Sequence, residues 1–392
     1  MIHLIDRSRV DTREACPRKR FLNYDYPVNG QPTGLQPEKP SLPLISGIAV
    51  HAAHARLLLG EPLEEVLTST LGQYREELTT HGLAGLDVTQ DVVLQQSMLL
   101  EGMLRLWALR RLPVLLRDFR VVSVEQGWRY ELAPGLQQTL RLDALLQRYD
   151  DGLYFVKDFK TVKYPSEVWA AKFEHNLQTC LYVQAVKDRL PGLTGDPAAQ
   201  FGGILYEGLV KGAFKTDTAK SSPWYGQRIQ HSPYTLAYAL TGEDGLTVYQ
   251  TAYTSKKGWR KVRPYDHMSM KDWVENHLQW DEQTCQELFI DVPDICPPTY
   301  ELERAKRQVV REELQYLKQR DTFLEMSPDA SGAEEYLDLF APLRTDTCSK
   351  YGQEYACPFM SVCFNQGARP LDDGGFVPRV PHHDTDLKVI AE

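Results

Sequence analysis

Asp143, Asp158 and Lys160 fall in one stretch, RLDALLQRYDDGLYFVKDFKT, whose period-two alternation on either side of Asp151-Gly152 reads as a β-hairpin. A two-residue turn at Asp151-Gly152 sets Asp143 opposite Lys160, and a four-residue turn sets it opposite Asp158. Residues 158 and 160 share a face by alternation, so the three side chains converge in either register; a three-residue turn would separate them. Two carboxylates on one face, each costly to bury unpaired, are suited to hold a divalent cation. Mg²⁺ uses few carboxylates and keeps coordination sites for water and phosphate. A lysine beside them can position or deprotonate an attacking water and offset charge at phosphorus, which is equipment for phosphodiester hydrolysis. For a D…DxK pattern alone, a solvated hairpin face with weak ion pairs is the competing reading. The apolar neighbours Tyr154, Phe155, Val156 and Phe159 favour a central strand whose end lines a cleft.

The flanking elements follow from periodicity. Helices are predicted over 47–59, 63–78 and 92–116, the last broken near Pro113. Strands follow over 119–132, 138–147 and 153–161, then a helix from Pro165-Ser166 to about Leu190 and strands over 201–210 and 246–253. Residues 211–245 are polar and read as an inserted loop or lid. Helices return over 270–288 and 301–323, and the stretch after Thr345 is weakly periodic. The pattern is α/β, a sheet bracketed by helices. It divides into an N-terminal segment 1–45, a helical region 46–118, a core 119–255, a second helical region 256–344 and a C-terminal segment and tail 345–392.

The order Gly47-Ile48-Ala49-Val50-His51, Glu125 in a strand, Asp143, Asp158-Phe159-Lys160, then Gln178 and Tyr182 in a helix resembles the PD-(D/E)XK nuclease superfamily, nearest its RecB-like branch, which includes the CRISPR-associated adaptation exonucleases and many phage nucleases. The resemblance spans about residues 10–210 and again 345–365. It implies a restriction-endonuclease-like mixed central sheet flanked by helices. It further implies that His51, Asp143, Asp158 and the Phe159 carbonyl hold Mg²⁺ or Mn²⁺ and that Lys160 orients the water. Gln178 and Tyr182, spaced i, i+4 on one helix face, would position DNA and maintain the site. Asp158 stands where many relatives have Glu. Glu125 is carried as a second-metal or water contact, against the reading of a surface strand acid; His51 and His54 both compete with the reading of a packed core histidine.

Seven cysteines, an odd number in a chain that opens without a secretion signal, do not read as a disulfide framework. Cys348, Cys357 and Cys363 have spacings unlike the close pairs of most zinc ribbons, and Cys16 lies more than 300 residues away. Buried thiols are the default for free Cys, a poor fit for three in a polar tail. The RecB-like resemblance implies that Cys16, Cys348, Cys357 and Cys363 ligate a [4Fe-4S] cluster joining the N- and C-terminal segments, with Zn²⁺ the alternative. Cys180 and Cys285 read as core; Cys296, followed by proline as Cys16 and Cys357 are, is the one substitute ligand.

The chain has 392 residues, 42% hydrophobic and 25% charged, which excludes collagen, coiled coil and wholesale disorder. No apolar run reaches membrane-spanning length, which predicts a soluble cytoplasmic protein. The net charge of −9 argues against a surface coated for nucleic acid, leaving local basic groups at 18–20, at Arg105, Arg110, Arg111, Arg117 and Arg120, and at 256–263, each of which also reads as a solvated face. Trp128, Trp169, Tyr182, Trp224 and Trp259 offer base stacking or core packing. The expected activity is a metal-dependent DNA exonuclease on single-stranded or frayed ends. A DNA-end-binding scaffold and an RNA-directed endonuclease are the alternatives. No GxxxxGK[ST] loop is present, so any unwinding falls to a helicase or recombination partner.

Overall fold

The computed structural model describes residues 3–83, 86–163, 169, 171–173, 176–216, 218, 220, 225–226, 228–231, 236–240, 246–254, 258–261, 288–292, 294–327, 334–348, 357–364, 370–372 and 375–380. Its centre is a six-stranded mixed sheet. Strand β3 (Leu136–Arg148) pairs along its whole length with β2 (Phe119–Ala133), antiparallel. On its other edge β3 takes β1 (His3–Ile5), parallel, at Leu136 to Gln138, and β4 (Tyr154–Val162), antiparallel, at Ala144 to Gln147. Strand β5 (Phe201–Val210) runs parallel to β4, and β6 (Phe289–Asp291) closes the edge antiparallel to β5. Between β1 and β4, no described strand pairs with residues 139–143 of β3 on that edge, and the sheet splits there.

Each face of the sheet buries its own core. Helices α3 (Leu42–Leu58), α4 (Leu63–His81) and α5 (Gln90–Arg110) bury Val50, Ala53, Leu67, Leu104 and Trp107 against Ala144, Leu146, Phe159 and Leu209. On the opposite face, α7 (Leu177–Thr194) and α8 (Thr299–Met326) bury Leu181, Val186, Val309 and Phe323 with Trp128, Leu142, Val156 and Tyr206. Trp128 is thus core.

The N-terminal helices α1 (Arg7–Ala15) and α2 (Pro17–Tyr24) dock on α8 through charge as well as apolar area. Arg20, Asp25 and Glu313 are essentially inaccessible. Arg20 pairs with Asp25 at 3.3 Å and with Glu313 at 3.0 Å, while Asp25 also takes Arg320 at 2.9 Å and the Tyr316 hydroxyl at 2.9 Å. Residues 35–37 pair antiparallel with 376–378, a second tie between the chain's two ends.

Several expectations change. The hairpin turn spans residues 149–152: Arg148 N donates to Leu153 O, Asp151 accepts from Leu153 N, and Gly152 takes φ +72°. The two-residue turn is excluded, and the rungs Gln147–Tyr154 and Ala144–Lys157 set Asp143 opposite Asp158. Helix α3 begins at Leu42 rather than 47, because Pro43 fits a first turn that needs no N–H. The break in the 92–116 helix comes at Arg111, with Pro113 inside the first turn of α6 (Leu112–Asp118). The region read as an inserted loop carries strands over 213–216, 228–231 and 236–240. The helix predicted over 270–288 lies outside the described residues except at Leu288, as do Trp224 and Cys285.

The first two basic groups are divided: Arg110, Arg117 and Arg120 are exposed, as a solvated face would be, while Arg18, Arg20, Arg105 and Arg111 are held in ion pairs. Arg18 is buried against Ala341 O and Asp338, Arg105 pairs with Glu64 and Glu101, and Arg111 pairs with buried Glu207. Lys256, Lys257 and Arg263 lie outside the described residues. No described helix is long and apolar enough to cross a membrane.

Candidate metal centre and active site

The site is built where β4 leaves β3. Beyond the Ala144–Lys157 rung, side chains replace the missing ladder: Asp143 Oδ2 accepts the Phe159 N–H at 2.7 Å, and the Tyr182 hydroxyl of α7 donates to Arg141 O at 2.7 Å. Both bonds satisfy backbone groups that the split would leave unpaired.

Asp143 Oδ1 lies 3.1 Å from Nδ1 of His51, which α3 brings in from the opposite core. Glu125 completes the group. The rungs Val124–Ala144 and Gln126–Leu142 set Glu125 across from Asp143 in the β2–β3 ladder, and its backbone is left-handed at φ +49°. That conformation is costly for a residue with a Cβ and interrupts strand alternation. Accordingly Val124 and Ala144 pack with one core while Trp128 and Leu142 pack with the other. One ligand atom each from His51, Glu125 and Asp143 lies within 4.8 Å of the others. Arg141 holds the Glu125 carboxylate at 2.5 Å.

Burial alone would raise the Asp143 pKa; His51, Lys160 and the Phe159 amide outweigh it and bring the carboxyl down to about 2. Burial, followed by the Asp143 charge, holds Glu125 above the usual carboxylate range against the pull of Arg141. Burial lowers His51, but Asp143 more than offsets this and leaves its pKa raised. Two carboxylates and an imidazole within one ion's reach are a donor set that accepts Mg²⁺ and, through the nitrogen, favours Mn²⁺.

Asp158 stands outside this group. Its buried carboxylate pairs with Lys160, whose Nζ also lies 3.3 Å from Phe159 O. The described side chains within one ion's reach of one another are thus His51, Glu125 and Asp143, while Asp158, to which the sequence also pointed, pairs with Lys160. Asp143 gives one oxygen to the Phe159 amide, and the irregular rung sets Glu125 on its other side. Gln178 lies on α7 one turn before Tyr182, and its side chain lies outside the described set. Trp169 packs on Gly208 and edge-on to Phe173.

Behind the site lies a charge cluster that sequence reading missed. Lys157 Nζ meets Glu207 at 2.7 Å, and Arg111 reaches Glu207 at 3.0 Å. Burial alone would raise Glu207, yet Lys157 and Arg111 bring it down to about 2. Each partner comes from a separate element, so only their polar character within apolar runs hinted at pairing. His54, one turn from His51, is buried and stacks on Trp107 at 3.9 Å; its ring nitrogens find no hydrogen bond among the described residues.

Cys16 ends α1, Cys348 closes the short helix Thr345–Cys348, and Cys363 lies on Met360–Phe364. Cys357 N donates to Cys348 O at 2.8 Å. Burial pushes the Cys363 thiol up to about 12, with smaller influences from Arg18 and from Cys357, Cys16 and Cys348. Among the described residues no three cysteine sulfurs lie within 4.8 Å of one another. Cys180 is buried core and Cys296 is exposed.

The sequence model of the PD-(D/E)XK nuclease superfamily matches residues 7–364 of the chain. No curated protein matches it.

Proposed function

The chain belongs to the PD-(D/E)XK nuclease superfamily, a family of metal-dependent nuclease hydrolases, and on that premise we propose that it is a DNA exonuclease of the RecB-like branch acting on single-stranded or frayed ends. The observation that carries the nuclease reading is the convergence of His51, Glu125 and Asp143 beside Lys160 at the split between β3 and β4. A divalent ion held there, Mg²⁺ or Mn²⁺, supplies Lewis-acid stabilisation of a phosphate and a more acidic water.

The protein's own groups do the rest. Asp143 orients the His51 ring through Nδ1, and Arg141 fixes the Glu125 carboxylate. Lys160, anchored by Asp158 and the Phe159 carbonyl but still partly exposed, offers an ammonium that orients a water and offsets charge on a phosphate oxygen. Tyr182 braces the strand that carries Asp143. Exonuclease action on ends, and a role in recombination, repair or phage replication, rest on the resemblance of GIAVH, Glu125, Asp143, DFK, Gln178 and Tyr182 to RecB-like enzymes, and the helicase partner on the want of a GxxxxGK[ST] loop in this sequence.

We read Cys16, Cys348, Cys357 and Cys363 as ligands of a [4Fe-4S] cluster. What supports this reading is that Cys16, Cys348 and Cys357 all influence the Cys363 thiol, together with the likeness of ACPRKRFL and YACPFMSVCF to the RecB-like pattern.

The test is digestion of single- and double-stranded DNA and of RNA with Mg²⁺, Mn²⁺ or EDTA, comparing wild type with Asp143→Ala and Lys160→Ala. Metal-dependent loss of nucleotides from DNA ends, abolished by both substitutions, is the expected result. Cleavage that survives both moves the chemistry elsewhere. DNA binding without cleavage makes the protein an end-binding scaffold, and a preference for RNA makes it a ribonuclease.

A further inference from the structure

Helix α3 is apolar on two faces. Its inner face, with Ile45, Val50, Ala53, Leu57 and Leu58, is buried in the core. Its outer face carries Leu44, Gly47, Ile48 and His51, spaced i, i+3, i+4, i+7, the pattern of a stripe that normally meets a partner. Leu44 is 51% exposed and Ile48 58% exposed. The stripe runs straight into His51, so it is continuous with the proposed metal centre.

Gly47 is the second observation. A glycine inside a helix is destabilising relative to alanine, and the usual compensation is close packing against a neighbouring element. The small residues around His51 suggest such helix packing, but at Gly47 a Cβ would meet nothing within 4 Å. Among the described residues nothing makes use of the bare backbone there. Gly47 lies one turn, about 5.4 Å, before His51 on the same helix face.

We propose that the outer stripe Leu44–Gly47–Ile48 of α3 is the seat for the nucleobase and sugar adjoining the phosphate that is cleaved, with Gly47 admitting the sugar to the helix backbone and Leu44 and Ile48 packing on the base. The stripe bears no charge, so it takes the apolar face of a base and leaves the phosphate to His51 and Lys160. A base stacked there is drawn out of a duplex, which selects single-stranded or frayed substrate. This inference rests on the nuclease reading above and deepens it.

The experiment follows binding and Mn²⁺-dependent cutting of a fluorescein-labelled single-stranded oligodeoxynucleotide by wild type, Gly47→Ala, Gly47→Leu and Ile48→Ala. Both Gly47 variants are expected to melt no lower than wild type, since the side chain enters open space and improves helix propensity. Gly47→Leu is expected to raise KM about tenfold, the loss of one base contact, with Gly47→Ala intermediate. Ile48→Ala is expected to raise KM on the intact oligonucleotide and to lose that effect when an abasic residue adjoins the cut. Wild type that cuts while Gly47→Leu and Ile48→Ala keep its KM overturns the seat and leaves the nuclease standing. Wild type that neither binds nor cuts overturns both.

Discussion

Glu125 and Asp143 face each other across the β2–β3 ladder at its one rung where a non-glycine residue of the sheet is left-handed, φ +49° at Glu125. The irregular rung moves the apolar side chains of both strands from one core to the other and leaves two carboxylates at the split where β4 departs. Strain of this kind costs of order 1–3 kcal/mol. The same rung brings a ligand atom of Glu125 within 4.8 Å of His51 and Asp143.

The metal set is tested by titrating Mn²⁺ against cleavage rate. Glu125→Gln keeps the side chain's size and its reach to Arg141 while removing the charge, and is expected to raise half-saturating Mn²⁺ by about tenfold or more. Asp143→Asn is expected to remove activity. Asp158→Asn is expected to change the rate more than the metal requirement, because that carboxylate pairs with Lys160. A Mn²⁺ requirement unmoved by Glu125→Gln and shifted by Asp158→Asn would restore Asp158 to the metal and release Glu125.

Lys160→Met is expected to lower kcat by about 10²–10⁴ with substrate affinity retained. It also leaves buried Asp158 without its ammonium partner, so the melting temperature should fall as well. Adding Asp158→Asn to Lys160→Met should recover the melting temperature and none of the rate. Recovery of rate would show that Lys160 serves only to neutralise Asp158.

Much of this site was written in local pattern. The alternation around Asp143, Asp158 and Lys160 gives their convergence because the four-residue turn preserves strand parity, and the strand over 201–210 has the bounds read from its apolar run. Glu125 was harder to read, since period two assumes regular strands and its rung is irregular; the polar run Glu125-Gln126-Gly127, with a glycine in mid-strand, was the available signal. Arg20 and Glu313 were illegible for another reason. They are 293 residues apart, and a basic run such as Arg18-Lys19-Arg20 looks the same whether it meets water or a buried carboxylate.

Breaking that buried pair tests what ties the chain's ends together. Glu313→Gln leaves Arg20 charged, inaccessible and short of one partner, with Asp25 remaining. The expected loss is about 3–5 kcal/mol, read as a lower urea midpoint. A replacement that removes both charges with apolar residues of similar volume should cost much less. An unchanged midpoint in Glu313→Gln would mean that apolar docking of α2 on α8 carries the tie.

Acid stability separates two buried groups. Burial pushes His54 down to about 3, below the roughly 6.5 of an unfolded histidine, so below pH 6.5 the unfolded chain binds the extra proton. Stability is full above that pH and falls by about 1.4 kcal/mol per pH unit as acid is added, until the folded state also protonates. Glu207, held at about 2, adds a second loss that begins below its ordinary 4.5. His54→Phe should therefore flatten the slope between pH 6.5 and 4.5, leave the lower one intact, and relieve two buried nitrogens that find no hydrogen bond among the described residues. Equal slopes in both proteins over the upper range would place the titrating group elsewhere.

The four cysteines make the remaining prediction. A cluster bound by Cys16 and by Cys348, Cys357 and Cys363 closes a loop of more than 300 residues and so restricts the unfolded chain. Protein purified without oxygen should be brown, with broad absorbance near ~400 nm and stoichiometric iron and sulfide. Each of the four Cys→Ser variants should lose the colour, while Cys180→Ser and Cys296→Ser should keep it, because one is packed in the core and the other is exposed. Loss of iron should lower the melting temperature without moving the Mn²⁺ requirement, since His51, Glu125 and Asp143 are a separate ligand set. A colourless anaerobic preparation carrying one zinc would replace the cluster with a single ion, and would require the sulfurs to close to tetrahedral spacing on binding.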